Sequence, residues 1–168
     1  MHHSKLFQLL RLLEPNEWHW LHKFLKSPYH NPNPQYLQLF KYIKKYHPNL
    51  EHPKLNKEIA FKKLFPKATF TPQKMRKLMH ELAILIEEFL VIHHVKNNTF
   101  EHRKIYISEL GRRNHYKTFE KETHKLLHEL EQEEKRSENH FLERYQLRKQ
   151  LFGHPLTVRG QESGEKLL

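Results

Sequence analysis

Residues 71–95 read TPQKMRKLMHELAILIEEFLVIHHV, and this stretch decides the fold. Thr71-Pro72 is a helix start, because a proline lacks the N–H that a first turn leaves without an acceptor anyway. Met75, Leu78, Met79, Leu82, Leu85, Ile86, Phe89 and Ile92 then keep helical spacing without a break. From Leu82 to Val95, ten of fourteen residues are apolar. A helix that is apolar round most of its circumference is enclosed by other helices. The stretch therefore predicts a central helix, about 37 Å long at 1.5 Å per residue, with a bundle packed around it.

Toward the N-terminus, four shorter helices precede it. Ser4 caps a first helix running to about Leu13, with Leu6, Leu9, Leu10 and Leu13 on one face. Pro15 suits the first turn of a second, in which Trp18, Leu21 and Leu25 face inward, and Ser27-Pro28 ends it. Asn33-Pro34 opens a third with Leu37, Phe40 and Ile43 inward, closed by His47-Pro48-Asn49. Asn56 caps a fourth, bearing Ile59, Leu64 and Phe65, and Pro66 stops it.

Toward the C-terminus, polarity and charge both shift at Asn97-Asn98-Thr99, the expected domain boundary. Helices of about 100–113, 115–135 and 137–152 follow. The second carries Tyr116, Phe119, Leu126, Leu127 and Leu130 as its apolar stripe. Glu109/Arg113, Lys125/Glu129 and Glu131/Lys135 form i,i+4 pairs. Gly153 and Pro155 supply a helix stop.

The composition agrees. There are 26 Leu against 3 Val, and no glycine precedes Gly111. Leu and the long charged residues lose little freedom in a helix, whereas Val favours strands. The predicted class is all-α, about two thirds helical, twice the ordinary share: a helical bundle followed by helical-hairpin, repeat-like helices. The predicted domains are a basic N-terminal bundle, 1–98, a hairpin region, 99–153, and a disordered tail, 154–168.

Net charge is +11 with His neutral, and it is uneven. Residues 1–98 hold 16 Lys/Arg against 7 Glu, whereas residues 99–168 hold 14 against 12. A basic N-terminal part attracts anionic partners, although a lysine-rich surface also serves solubility. The chain has no cysteine, which excludes disulfides, thiolate nucleophiles and cysteine-bound zinc. The longest apolar run, Leu82–Ile86, is far below the ~20 residues of a membrane helix, so no membrane role is expected. Gln8, Arg11 and Glu14 break the apolar stretch near the N-terminus, so no secretory signal is read and a cytoplasmic location is expected.

Signals of catalysis are poor. Residues 1–110 contain no glycine to form a phosphate-cradling loop, and no G-x-S-x-G motif occurs. Glu87 and Glu88 point about 100° apart on a helix and do not converge as an acid/base pair. Sixteen histidines include His124/His128 at i,i+4 and His19/His22 at i,i+3, but no H-E-x-x-H. No catalytic residue, cofactor or metal site is expected. The segment 55–82 gives the best nucleic-acid signal: a short helix, then a second whose Gln73, Lys74, Arg76, Lys77 and His80 lie opposite Met75, Leu78, Met79 and Leu82. The connection is longer than a helix-turn-helix turn and has no glycine. The aromatics Trp18, Trp20, Phe24, Tyr29, Tyr36, Phe40, Tyr42 and Tyr46 crowd the first third; against the alternative of a base-stacking platform, most follow helical periodicity and read as core. Trp20 lies roughly 200° from Trp18 around the helix, so one of the two faces a second surface.

Two stretches together resemble the N-terminal region of a group of uncharacterised helical proteins from Bacteroidota-type bacteria. They are Phe24-Leu25-Lys26-Ser27-Pro28-Tyr29-His30-Asn31 with Leu39-Phe40-Lys41-Tyr42, and Lys62-Lys63-Leu64-Phe65-Pro66 leading to Phe89-Leu90. No activity attaches to that group, so the resemblance implies further helical hairpins and no functional residue. Residues 102–133 also resemble a degenerate tetratricopeptide repeat. Leu110-Gly111 matches, while Asn114, Thr123 and Leu127 depart from the preferred Tyr, Ala and Phe. The resulting expectation is a non-enzymatic helical module that binds another protein or further helical repeats. The alternative is a DNA-binding regulator using Gln73, Lys74, Arg76, Lys77 and His80.

Overall fold

The computed structural model describes residues 1–132 and 137–153. Among the described residues there are eight helices and no strand, and 73% are helical. The fold is all-α. Contacts divide the chain into two compact units, Met1–His94 and Val95–Leu168. The residues expected to form a tail, 154–168, lie outside the described ones.

The N-terminal unit is built from α1 (Lys5–Leu12), α2 (Glu17–Lys26), α3 (Pro34–Lys44), α4 (Lys57–Leu64) and α5 (Pro72–Asn97). One cluster of side chains fills it, including Phe7, Leu21, Phe40, Phe61, Met75, Leu82 and Phe89. α5 keeps Met75, Leu78, Met79, Leu82, Leu85, Ile86 and Phe89 buried, as its periodicity predicts. Ile92 is the exception: with Ile84 and Val91 it stays exposed, so the C-terminal half of α5 is covered on one side only. High apolar content there reflects a stripe wider than the core it shares with the four short helices.

Two helix starts differ from the expectation. α2 begins at Glu17, not in the turn holding Pro15, because the Glu17 carboxylate reaches back and accepts from the Glu14 amide at 2.9 Å. In α4, Ala60 and Phe61 face the core and Ile59 is exposed. Phe61 packs against Phe65 and Phe70, whose rings lie 4.8 and 5.4 Å away, so an aromatic group rotates the helix away from its aliphatic residue. Asn33 and Asn56 cap α3 and α4 by accepting from Gln35 and Glu58 amides at 3.0 and 2.8 Å.

The turn between α2 and α3 is held from inside. Asn31 is buried; its Nδ2 donates to the Leu25 carbonyl at 2.8 Å, and its Oδ1 accepts from the Asn33 amide at 3.1 Å. One side chain thus satisfies the end of one helix and the approach to the next. His30 stacks on Phe24, ring centroids 4.2 Å apart, and lies 3.1 Å from the Glu88 carboxylate. The longer connection from Lys45 to Asn56 is pinned by buried Leu50 and Leu55 and by Tyr42, whose hydroxyl donates to the Lys54 carbonyl at 2.5 Å. Burial, and then its hydrogen bond with Tyr46, push the Tyr42 phenol up to about 12.

The C-terminal unit contains α6 (Thr99–Arg112), α7 (Tyr116–Gln132) and α8 (Glu138–Phe152). Ile107, Phe119, Leu126, Leu127, Leu130, Leu147 and Leu151 form its core. Arg103, early in α6, pairs with Glu129, late in α7, so these two helices run antiparallel. The Glu131 carboxylate accepts from Arg144 at 2.9 Å and Arg148 at 3.1 Å, tying the end of α7 to α8. Glu129 and Glu131 therefore have cross-helix partners; Lys135, expected to pair with Glu131, lies outside the described residues. Asn98 alone separates α5 from α6, and its side chain accepts from the Glu101 amide at 3.0 Å.

α6 ends in a left-handed cap. Asn114 has φ +58°. The His115 amide donates to the Leu110 carbonyl at 2.9 Å and the Asn114 amide to the Gly111 carbonyl at 3.0 Å, the two bonds of a Schellman motif. Glycine adopts this conformation without a steric penalty. Asn114→Gly should therefore raise stability by up to about 1 kcal/mol, and Asn114→Val should lower it by about 1–2 kcal/mol. Thermal melts of both variants check the sign; a less stable Gly variant would contradict the assignment.

Candidate functional site

The five residues Gln73, Lys74, Arg76, Lys77 and His80 all lie on the exposed side of the N-terminal half of α5. They do not act as one face. Lys74 folds back over the aromatic group of α4, its Nζ 4.2 Å from the Phe65 ring centroid and 5.8 Å from that of Phe61. A cation held there covers apolar surface and gains from the ring quadrupole. Arg76 and His80, four residues apart, turn the other way. With Ser4, Lys5, Leu6, Lys57, Met79 and Ala83 they line a cavity of about 270 Å³. Gln73 and Lys77 join neither group. α4 and α5 are separated by residues 65–71, and the neighbour that α4 packs against is α3.

Lys5, Lys57 and Ser4 are the members that sequence reasoning missed. They belong to α1 and α4 and to the cap of α1, far from Arg76 along the chain, so no local pattern joins them. The end of α1 is unusual in one respect. Ser4 sits at the cap position but its side chain does not cap the helix; its hydroxyl donates to the Met1 carbonyl at 2.7 Å. Lys5 Nζ meets the Glu87 carboxylate at 2.6 Å. Glu87 and Glu88 thus hold separate elements, α1 and the α2–α3 turn, and do not converge.

The basic field is felt elsewhere in the unit. The His22 pKa is lowered, first by burial, then by Lys44, Lys41, Lys26 and His19. His22 is surrounded by cations of α2 and α3, distinct from those of the cavity, and its charged form is disfavoured. Among the described residues, no three His or Glu side chains gather as a metal site, and His124 and His128 are both exposed on α7. Trp18 and Trp20 separate as their angle requires. Trp18 is buried against Phe40, ring centroids 5.6 Å apart, while Trp20 is 43% exposed beneath Lys23, whose Nζ is 4.5 Å from its ring.

A second surface lies on α8 and was not singled out from the sequence. His140, Leu147 and Leu151 are buried. Phe141, Leu142, Tyr145 and Phe152 are exposed at 55%, 52%, 61% and 61%. Phe141, Tyr145 and Phe152 recur at i, i+4 and i+11, one outward stripe. The signal was present in the sequence: α8 is apolar on two faces, which no helix needs when packed on one side.

No helix among the described residues is long and apolar enough to cross a membrane. No protein-family model matches the chain, and no curated protein or solved structure matches it either.

Proposed function

We propose that this protein is a non-enzymatic interaction module, and that the outward stripe of α8 docks an amphipathic helix of another protein. The observation that carries this is the exposure of Phe141, Leu142, Tyr145 and Phe152 on one helix. Clustered exposed aromatics mark contact surfaces, and aromatic side chains supply most hot spots of binding. Spacing of i, i+4 and i+11 suits a helix laid alongside, as α7 already lies on the opposite side of α8. Lys149 flanks the stripe and Arg148, paired with Glu131, lies beside it, which favours a partner with an acidic residue beside its apolar face. The rival reading, a DNA-binding regulator, has less support, because Lys74 is engaged with Phe65 and the connection between α4 and α5 is longer than a helix-turn-helix turn.

The test compares wild type with Phe141→Glu/Tyr145→Glu in pull-downs from nuclease-treated host lysate. A protein captured by wild type should be lost by roughly tenfold or more in the double variant, since central aromatics of an interface contribute 2 kcal/mol or more. Lys74→Gln/Arg76→Gln/Lys77→Gln should capture it undiminished. Equal capture by the α8 variant, or capture abolished by nuclease, would overturn the proposal. Concentration-dependent dimerisation lost in the same variant would show that the occupant is a second copy.

A further inference from the structure

Three helices bring four basic side chains to one small cavity in the N-terminal unit. Lys5 comes from α1, Lys57 from α4, and Arg76 and His80 from α5. Like charges gathered in this way repel one another, and a cleft lined by one sign concentrates counter-ions. Among the described residues, the carboxylate that meets the group is Glu87, 2.6 Å from Lys5 Nζ. Lys57, Arg76 and His80 have no ion-pair partner among the described residues. The first turn of α1 adds to the field: Ser4, Lys5 and Leu6 line the same cavity, and no side chain caps that helix end. Helix N-termini favour anions for the same reason that cations do.

The floor has the opposite character. Leu6, Met79 and Ala83 are buried and belong to the core, so the base of the cavity is apolar and fixed. A volume of about 270 Å³ exceeds what a bare phosphate fills and falls just below ordinary ligand pockets. We propose that Ser4, Lys5, Lys57, Arg76 and His80 bind a small phosphate monoester, its phosphoryl group on the cations and its carbon part on Leu6, Met79 and Ala83. Arg76 is the natural principal contact, because a planar guanidinium can bind two phosphate oxygens at once. This site lies in the other unit from the α8 stripe and stands independently of it.

The experiment is an amide-resolved NMR titration of the full chain at constant ionic strength, with glycerol 3-phosphate, inorganic phosphate and sodium sulfate as probes. Saturable shifts should centre on residues 4–6, 57 and 76–83, with glycerol 3-phosphate bound at a Kd of about 1 mM or tighter and more tightly than the two inorganic anions. Lys57→Gln/Arg76→Gln should weaken binding about tenfold or more, and Lys62→Gln/Lys63→Gln should leave it unchanged. All four positions are exposed or half-exposed, so the variants retain the fold, which a melt confirms. Shifts spread evenly over Lys62, Lys63, Lys67 and Lys77 would overturn the proposal as diffuse charge attraction. Equal affinity for inorganic phosphate and glycerol 3-phosphate would overturn the monoester assignment. A short DNA duplex that occupies the same residues more tightly than the monoester would overturn it in favour of nucleic acid.

Discussion

Leu82→Ala should destabilise the protein by about 2–5 kcal/mol, and Phe89→Ala by about 3–5 kcal/mol. Leu82 is fully buried and Phe89 is 3% exposed. Both sit on the inward stripe of α5 and belong to the core cluster it shares with the shorter helices. The Phe89 ring meets Phe24 edge to face at 5.7 Å and stacks on His93 at 5.1 Å, so truncation removes two ring contacts as well as area. Leu82 lies wholly inside the core cluster, so its truncation leaves a void, and an unfilled void adds to the lost transfer energy. Ile92→Ala on the same helix should cost far less, because that side chain is 38% exposed. Urea denaturation of the three variants gives the comparison directly. Losses under about 1 kcal/mol for both Leu82 and Phe89 would contradict the position of α5 in the core.

Asn31→Ala should cost about 1–3 kcal/mol, a large effect for a side chain outside any helix. The substitution leaves the buried Leu25 carbonyl and the half-buried Asn33 amide without their side-chain partners. An unsatisfied buried backbone group costs about 1–3 kcal/mol, more than the net worth of the bond it lost. Asn31→Asp separates the two bonds. It keeps an acceptor for the Asn33 amide but sets an oxygen against the Leu25 carbonyl, so it should be at least as damaging as Ala. Chemical denaturation of both variants checks this, and an Asp variant as stable as wild type would refute the hydrogen-bond assignment.

What was legible in the sequence was whatever depends on local order. Periodicity located all the long helices, and Asn33 and Asn56 act as the caps expected, whereas Asn98, read only as part of a boundary, also caps a helix. Asn114 carried a readable signal of another kind, since Asn between two helical patterns tolerates the left-handed region; its comparison with a repeat consensus hid this. Asn31 was not legible, because its two partners, Leu25 and Asn33, are defined only once the turn has formed. The cavity was half legible. Arg76 and His80 belong to one helical face, but Lys5 and Lys57 reach it only through packing of α1 and α4. The α8 stripe was legible only as apolar residues on two faces; that Leu147 and Leu151 are the inner ones is decided by packing.

No glycine occurs in the N-terminal unit, and eight of the nine prolines do. The only left-handed residue among the described ones, Asn114, lies outside it. The turns of this unit are thus made by proline and capping Asn, with no backbone position that requires glycine. That has its effect in the denatured chain. Each proline fixes one torsion and each missing glycine removes a wide range of conformers, so the unfolded ensemble is smaller than that of an average sequence of this length. Folding then surrenders less backbone entropy, of which an ordinary residue loses about 1–2 kcal/mol. A unit of 94 residues with five helices needs correspondingly less buried area to remain folded. Glycine placed in its exposed turns should loosen the protein while leaving every native contact in place.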